Sequence, residues 1–312
     1  MENATVAWSH AFYALPLKSG SRILTSEAEY AANYVAFLQR AKRDNLTIDI
    51  IPSDQNGTLD TNALEAMVDE RVGLIAISWI PTNGGLVNPA ENVGKVAKKY
   101  NIPYLLDACQ AAGQMQIDVN KIQCDFLSAT GRKFLRGPRG TGFLYINEKW
   151  LGTIEPAMID HFGAPWVKKN VYELREDARR FETWENSYAL RAGLGEAIKY
   201  AEEIGIDLIH ERVQLLAKFN RDLLSEIKNI QLRDIGTEQC GIISFSIDEK
   251  NDPKEIVDQM SKAGFAIGLV DPESTLIDSE KRSLPTLLRM APHYYNTEDE
   301  IEKAVKQVSL LL

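Results

Sequence analysis

Residues 103–145 read PYLLDACQAAGQMQIDVNKIQCDFLSATGRKFLRGPRGTGFLY, and two apolar runs in this stretch end in polar residues. The first run ends at Asp107, and the second leads into the segment 128–133, which closes with Lys133. The 26 residues that separate Asp107 from Lys133 are enough for one helical crossover between neighbouring parallel strands. Parallel strands joined in this way end at one edge of the sheet, where ligands bind. We therefore expect the acid and the lysine to emerge side by side.

Short β-rich runs alternate with helical patterns over the first two-thirds of the chain, and several of the runs are continuously apolar. This alternation predicts an α/β fold with a mostly parallel sheet and helices on both faces. A long helical region from Ser187 to Ile227 breaks at Gly205, and the remainder is typical of a smaller α+β unit. We predict a large domain over 1–205 and a small C-terminal domain over 206–312. The predicted strands are Arg22–Thr25, Thr47–Pro52, Gly73–Trp79, Pro103–Asp107, Asp125–Ala129, Gly142–Ile146, Ile242–Ile247, Phe265–Val270 and Leu287–Met290, and the predicted helices include Glu27–Asp44, Thr61–Glu70, Pro89–Tyr100, Pro253–Ala263 and Thr297–Leu311.

The composition is that of an ordinary globular protein, with 45% apolar and 25% charged residues over 312 positions. A net charge of −9 repels nucleic-acid phosphates and anionic membranes, so neither partner is expected. No apolar run reaches the length of a membrane span, and the N-terminus lacks the pattern of a signal peptide. Three cysteines without C-x-x-C pairing and four scattered histidines predict neither a disulfide framework nor a metal site, and they favour a reduced, cytoplasmic location.

A lysine and an acid at one sheet edge suit the chemistry of pyridoxal 5'-phosphate. The cofactor aldehyde is held by a lysine as a Schiff base, and a carboxylate keeps the pyridine nitrogen protonated so that the ring accepts electrons. Four glycines and three arginines flank Lys133, which suits a phosphate in an otherwise acidic protein. The spacing alone also fits an Asp107 that caps a turn and a Lys133 that is merely solvated.

Four motifs make the chain recognisable: LLDACQ, SATGRKFLRGPRGTGFLY, RRFETWE and RMAPHYYNTEDEIE. With them the sequence resembles the class V aminotransferase family of pyridoxal phosphate enzymes, which have fold type I, and within it the branch of isopenicillin-N-epimerase-like proteins and amino-acid C–S lyases. The resemblance implies that Lys133 forms the Schiff base and that Asp107 contacts the pyridine nitrogen. It also implies that Gln110 bonds the phenolic oxygen and that Thr130 and Arg132 bind the phosphate.

The resemblance assigns further residues near both ends of the chain. Asn3, Ala4 and Thr5 match a turn that opens a helix at the phosphate, and Thr5 is expected to cap a helix over Val6–Leu15. Tyr30 matches an aromatic residue that stacks on the pyridine face of the cofactor. A tyrosine on an ordinary helix face is the alternative.

Arg289, in RMAPHYYNT, matches the residue that binds the substrate α-carboxylate, for which a planar guanidinium is suited. A surface ion pair with Asp299 or Glu300 is the alternative.

One feature of the sequence departs from the cysteine desulfurases of the family, which carry a nucleophilic cysteine on a loop before this arginine. The corresponding stretch 268–288 contains no cysteine, and Cys109 is a weak substitute. On this ground a desulfurase is disfavoured.

Family members carry a sizeable segment before the phosphate turn, whereas this sequence starts immediately before it. We expect a form without that segment to melt at a lower temperature than a version extended to family length, because an edge of the sheet would be exposed. The resemblance also implies a homodimer, with the segment Glu155–Val167 reaching across to the partner; an intrachain loop is the alternative. We expect Trp150, Phe162 and Trp166 to be exposed there, which is compatible with an interface.

The sequence leads to a pyridoxal phosphate enzyme that acts at the α-carbon of a small amino acid. Transamination, β-elimination with C–S cleavage and epimerisation all remain open, since the named residues do not choose among them. The alternatives are a non-catalytic α/β protein that binds a phosphorylated ligand and a truncated, silent relative. No G-x-G-x-x-G and no G-x-x-x-x-G-K-[ST] motif is present to support a nucleotide ligand.

Overall fold

A computed structural model describes residues 1–312 and centres on a six-stranded sheet of order β2-β1-β3-β4-β5-β6. The first five strands run parallel, and only β6 is antiparallel to its neighbour β5. Each strand lies within one residue of its predicted bounds at both ends. The α/β prediction with a mostly parallel sheet is therefore confirmed. The strands are β1 (Arg22–Ser26), β2 (Thr47–Ile51), β3 (Val72–Ser78), β4 (Tyr104–Asp107), β5 (Phe126–Thr130) and β6 (Gly142–Ile146).

Both faces of this sheet are buried, because alternate residues of each central strand enter different cores. In β3, Ile75 and Ile77 pack on one face, whereas Leu74 and Ala76 pack on the other. Phe12 and Phe37 cover the second face from helices α1 (Ala4–Ala14) and α2 (Ala31–Asp44). The first face is covered by helices α3 (Thr61–Ala66) and α4 (Ala90–Lys99).

Two predicted helix starts are wrong, and both lie near the carboxyl edge of the sheet. Helix α1 begins at Ala4 because Asn3 caps it, with its Oδ1 accepting the Val6 N–H at 2.9 Å. Thr5 therefore lies in the first turn and is not the cap. Helix α2 begins at Ala31 rather than Glu27, because the residues before it form a turn that directs Glu29 into the protein.

The C-terminal part contains two long helices, α6 (Tyr188–Ile204) and α7 (Ile206–Ser225), which meet at Gly205 as predicted. Gly205 has φ of +95°, a conformation that favours glycine at such a break. A four-stranded antiparallel sheet follows, in the order β11-β12-β10-β9. Its elements are β9 (Ile230–Leu232), β10 (Ile243–Ile247), β11 (Gly268–Val270) and β12 (Leu287–Met290), with helices α8 (Pro253–Lys262), α9 (Leu276–Lys281) and α10 (Glu298–Leu311). The division of the chain at residue 205 remains our proposal.

Three short elements complete the fold: helix α5 (Val119–Ile122) and the hairpin β7 (Trp166–Lys168) and β8 (Val171–Tyr172). The sequence did not predict the hairpin, because its strands are too short to show a pattern. None of the helices combines the length and the apolar character that crossing a bilayer requires.

Candidate active site

The carboxyl ends of three neighbouring strands form the floor of the site. Asp107 ends β4 and pairs in register with Ser78, the last residue of β3, and with Ser128 of β5. Thr130 ends β5, and Lys133 follows it by three residues. The connection between β4 and β5 returns to the same edge, as the 26-residue spacing predicted, so the acid and the lysine converge.

The Lys133 amine lies in a half-buried position among charged groups. Burial lowers the pKa of Lys133, the nearby Cys109 and Asp107 raise it, and the guanidinium groups of Arg132 and Arg289 lower it further. The net shift is downward, which favours the neutral amine. A neutral amine is both a nucleophile toward an aldehyde and a base, so this lysine is suited to either task.

Asp107 is buried, and both of its oxygens accept hydrogen bonds from the protein. Its Oδ1 accepts the Cys109 N–H at 2.9 Å, and its Oδ2 accepts from Asn33 Nδ2, also at 2.9 Å. These donors fix the orientation of the carboxylate, and each oxygen keeps a further lone pair for a ligand. The Cys109 thiol next to it is buried, and burial raises its pKa well above the ordinary value.

Glu29 is a second buried carboxylate beside Asp107, and the sequence gives no sign that it belongs to the site. Its Oε1 accepts from the Tyr30 N–H (3.1 Å), Asn33 Nδ2 (2.9 Å) and Ser78 Oγ (2.7 Å). Its Oε2 accepts from the Ser78 N–H (2.8 Å) and Thr25 Oγ1 (3.1 Å). Burial raises the pKa of Glu29, which the hydrogen bonds from Asn33 and Ser78 oppose. The residue was missed because SEAEY reads locally as the start of an exposed helix.

Arg289 reaches the site from β12 of the smaller sheet. Its Nη1 donates to the backbone oxygen of Thr82 at 3.0 Å and to Thr82 Oγ1 at 3.2 Å. Neither acid of the alternative pairs with Arg289: Asp299 pairs with Lys303, and Glu300 accepts hydrogen bonds from Asn296 and Thr297. Arg289 is half-buried, and burial lowers the pKa of its guanidinium. No local pattern marks Thr82, because its partner is 207 residues away.

Gln110 lies one turn beyond Asp107 and is buried. Its Nε2 is 3.5 Å from Thr82 Oγ1, so Thr82 adjoins both Gln110 and Arg289. The loop that carries Thr82 continues into Asn83, whose side chain is also buried. This loop therefore joins the floor of the site to the arginine of the smaller sheet.

The first turn of α1 packs against the junction of β5 and β6. The Gly142 N–H donates to the Met1 carbonyl at 2.8 Å, and a Cβ added to Gly142 would lie 3.0 Å from the Ala4 nitrogen. Gly142 pairs with Thr130, whose hydroxyl donates to the Thr141 carbonyl at 3.3 Å. Ala4 and Thr130 are thus neighbours. An α-helix N-terminus at this edge is suited to an anion.

The other residues that were predicted to hold the cofactor differ in exposure. Thr5 and Arg132 are exposed, and Tyr30 is 38% exposed at the N-terminus of α2, next to the edge where Asp107 lies. Their side chains are free to contact a ligand, whereas the Thr130 hydroxyl is already hydrogen-bonded within the protein. The individual roles of these residues remain predictions.

The unpaired polar atoms of the site fit a polar ligand such as pyridoxal phosphate. Asn83 Oδ1 and Ser128 Oγ are buried without any hydrogen-bond partner. Such orphaned atoms are uncommon in folded proteins, and a bound polar group is one way in which they become satisfied. Together with an amine of lowered pKa and a fixed carboxylate at the same edge, they form a donor set that suits this cofactor.

Comparisons with known proteins agree with this geometry. The model of the aminotransferase class V family matches residues 1–304. A probable cysteine desulfurase of Borreliella burgdorferi is 30% identical over 96% of this chain and 73% of its own length. A probable cysteine desulfurase of Pyrococcus abyssi is 28% identical over 91% of this chain and 71% of its own. The apo structure of a cysteine desulfurase from Thermococcus onnurineus superposes with a TM-score of 0.93 at 25% identity, over 99% of this chain and 78% of that one.

These relatives correct one prediction and confirm others. The expectation that a desulfurase is disfavoured is wrong, since the curated relatives are consistently named cysteine desulfurases. That expectation relied on the missing cysteine of a single loop, whereas similarity over the whole chain reflects the fold and the whole site. The predicted enzyme class, the fold-type I architecture and pyridoxal phosphate as the cofactor are confirmed by the family match. The chain belongs to the class V aminotransferase family.

Proposed function

We propose that this protein is a pyridoxal phosphate enzyme that cleaves the carbon–sulfur bond of cysteine and leaves alanine as the amino-acid product. One observation carries the proposal: the family match spans every residue of the site, and the curated relatives over this region are named cysteine desulfurases. Cysteine is small, and its α-carboxylate suits the planar guanidinium of Arg289 at the rim.

The sulfur acceptor in this proposal is an external thiol. Cysteine and a thiol RSH give alanine and the persulfide RSSH, so that the C–S bond breaks, an S–S bond forms and the thiol proton is transferred to the substrate carbon. All three cysteines of the chain are buried. Burial raises the pKa of Cys124 and of Cys240 to about 12, which disfavours the nucleophilic thiolate. The protein's own thiols are therefore poorly suited to accept sulfur.

The residues of the site divide the work in this proposal. The bound cofactor supplies an electron sink for the substrate α-carbon. Lys133 would hold the cofactor and move the α-proton, Asp107 would face the ring nitrogen, and Arg289 would orient the substrate carboxylate. The remaining contacts to the cofactor would come from Gln110 at the phenolic oxygen, Tyr30 at the ring face, and Ala4, Thr5, Thr130 and Arg132 at the phosphate.

The test is an assay of the cofactor-loaded protein with L-cysteine and an excess of dithiothreitol. We expect sulfide and alanine in equal amounts, and no product from the Lys133→Ala variant. Lys121→Ala serves as the matched control, because Lys121 is an exposed lysine between β4 and β5. Pyruvate and ammonia in place of alanine, or no turnover of cysteine at all, would refute the proposal.

We also propose a homodimer and a cytoplasmic location. Four exposed apolar residues lie in the β7–β8 hairpin (Trp166, Val167, Val171 and Tyr172), and Trp166 is 75% exposed. An apolar surface of this kind is typical of an interface. The prediction that Trp150 and Phe162 are also exposed is wrong. Trp150 is half-buried and packs on Phe126, and Phe162 is half-buried beneath Arg175.

Sedimentation velocity tests the dimer. The wild type is expected to sediment as a dimer and Trp166→Lys to shift toward the monomer, and a monomeric wild type would refute the proposal. The cytoplasmic location is supported by the three free cysteines, which suit a reducing compartment.

A further inference from the structure

The Glu29 carboxylate is surrounded by neutral donors and has no cationic partner. It is 3% exposed and accepts hydrogen bonds from Thr25, Asn33, Ser78 and the Tyr30 backbone. No lysine, arginine or histidine forms an ion pair with it. A buried carboxylate without a counter-ion is costly, so its retention calls for a physical reason.

Asn33 connects this carboxylate to Asp107. Its Nδ2 lies 2.9 Å from Glu29 Oε1 and 2.9 Å from Asp107 Oδ2, so both amide hydrogens are used. Only the NH₂ end of an asparagine can face two carboxylates, because the carbonyl end would place lone pair against lone pair. Glu29 thus dictates which end of Asn33 faces Asp107. Glu29 and Asn33 are both buried, so water cannot replace either of the two hydrogen bonds that Asn33 donates.

We propose that Glu29 is a positioning residue for Asp107: it holds Asn33 with its NH₂ group on Asp107 Oδ2 and so fixes the carboxylate that faces the cofactor ring nitrogen. The order of contacts is Glu29 to Asn33 to Asp107. Two carboxylates joined by one amide also make this edge of the sheet negative, which favours a protonated ring nitrogen. The inference rests on the cofactor and not on cysteine as the substrate.

The chain offers an isosteric test. In Glu29→Gln, one oxygen must become an NH₂ group, although each Glu29 oxygen accepts a backbone N–H, from Tyr30 and from Ser78. The amide can keep only one of these bonds. Since the Ser78 bond is the shorter at 2.8 Å, we expect the oxygen to stay there and the new NH₂ group to face Asn33 and displace it.

Two readouts are measured on the apoprotein titrated with pyridoxal phosphate. The first is the dissociation constant, and the second is the nitrogen NMR shift of cofactor labelled with ¹⁵N in the ring. We expect about tenfold weaker binding in Glu29→Gln and in Asn33→Ala, a loss of the order of one charge-assisted hydrogen bond (about 1.4 kcal/mol for tenfold). The ring nitrogen signal is expected to move toward its unprotonated position in both variants.

The double variant Glu29→Gln/Asn33→Ala decides whether Glu29 acts through Asn33. We expect it to bind the cofactor no more weakly than Asn33→Ala alone, because the bridge is already absent. Glu27→Gln is the matched control, since Glu27 lies on the same loop but pairs with Lys281 and forms no hydrogen bond to Asn33 or Asp107. This control is expected to match the wild type in both readouts.

Several outcomes would overturn the inference. Losses that multiply in the double variant would show that Glu29 acts independently of Asn33. A wild-type nitrogen shift and dissociation constant in Asn33→Ala would refute it even if Glu29→Gln failed to fold. If the wild type released no sulfide from cysteine, the proposed function would be refuted. The dissociation constant and the nitrogen shift would still decide whether Glu29 positions Asp107.

Discussion

Arg221 and Asp234 form a buried ion pair where the smaller sheet meets the loop that carries Thr82 and Asn83. Arg221 Nε donates to Asp234 Oδ2 at 2.8 Å, and the two side chains are 13% and 2% exposed. Arg221 Nη2 also donates to the carbonyls of Cys240 (2.9 Å) and Ile242 (2.7 Å). Asp234 Oδ1 in turn accepts the Gly85 N–H at 3.0 Å. We predict that Arg221→Met destabilises the protein strongly and displaces this loop.

The expected magnitude follows from what the substitution leaves behind. Removing one partner of a buried ion pair typically costs about 3–5 kcal/mol, because the other charge stays buried. Asp234 Oδ1 keeps three donors, the Gly85 N–H and the N–H and hydroxyl of Ser244. We therefore expect a loss at the lower end, about 3 kcal/mol. Methionine fills much of the volume of the arginine side chain, which limits the contribution of a cavity.

Urea unfolding of the apoprotein measures this loss, followed by tryptophan fluorescence and far-ultraviolet circular dichroism. Lys218→Met is the matched control, since Lys218 lies on the same helix and pairs with Asp222 at 2.5 Å. Both side chains of that pair are more than half exposed, so we expect less than about 0.5 kcal/mol. Because the Gly85 loop also carries Thr82, the KM for cysteine should rise in Arg221→Met and stay unchanged in the control.

Equal losses of stability in the two variants would refute the reasoning, since burial would then have no influence on the strength of the pair. A large loss of stability with an unchanged KM would refute only the link to the Thr82 loop.

Three further predictions concern the lysine, the arginine and the last helix. Burial lowers the pKa of Lys133, so the rate at which the cofactor attaches covalently should rise with pH and level off below pH 10.5. Stopped-flow absorbance measures this rate. A rate that still increases at pH 10.5 would contradict the prediction. Arg289→Lys keeps the charge but loses the planar guanidinium, which can donate two parallel hydrogen bonds to a carboxylate. Steady-state kinetics should therefore show a KM for cysteine about ten- to a hundredfold higher, with a smaller change in kcat. An unchanged KM would exclude Arg289 as the residue that binds the substrate carboxylate. Thr297→Ala removes the capping box that Thr297 forms with Glu300, so thermal unfolding should show a loss of about 1 kcal/mol, and an unchanged melting temperature would contradict that estimate.

Much of the fold was predictable because its signals are local. Continuous apolar runs marked the buried parallel strands, and Gly205 marked the break between α6 and α7. The spacing from Asp107 to Lys133 placed both at one edge, since a crossover connection has few solutions. Errors arose where a local pattern competed with a distant partner. Glu29 looked like part of an exposed helix, yet Ser78, 49 residues away, draws it into the interior.

The amino-acid order alone was sufficient for the family and the cofactor, because four motifs resemble class V aminotransferases, and for the pairing of an acid with a lysine, because their spacing fits one crossover between parallel strands. It was misleading about desulfurase chemistry, where one absent loop cysteine outweighed similarity along the whole chain. The contacts of Arg289 with Thr82 and of Asn33 with Asp107 join residues 207 and 74 positions apart. Such contacts exist only once separate elements have packed together, so they become visible in the three-dimensional arrangement and in no window of the sequence.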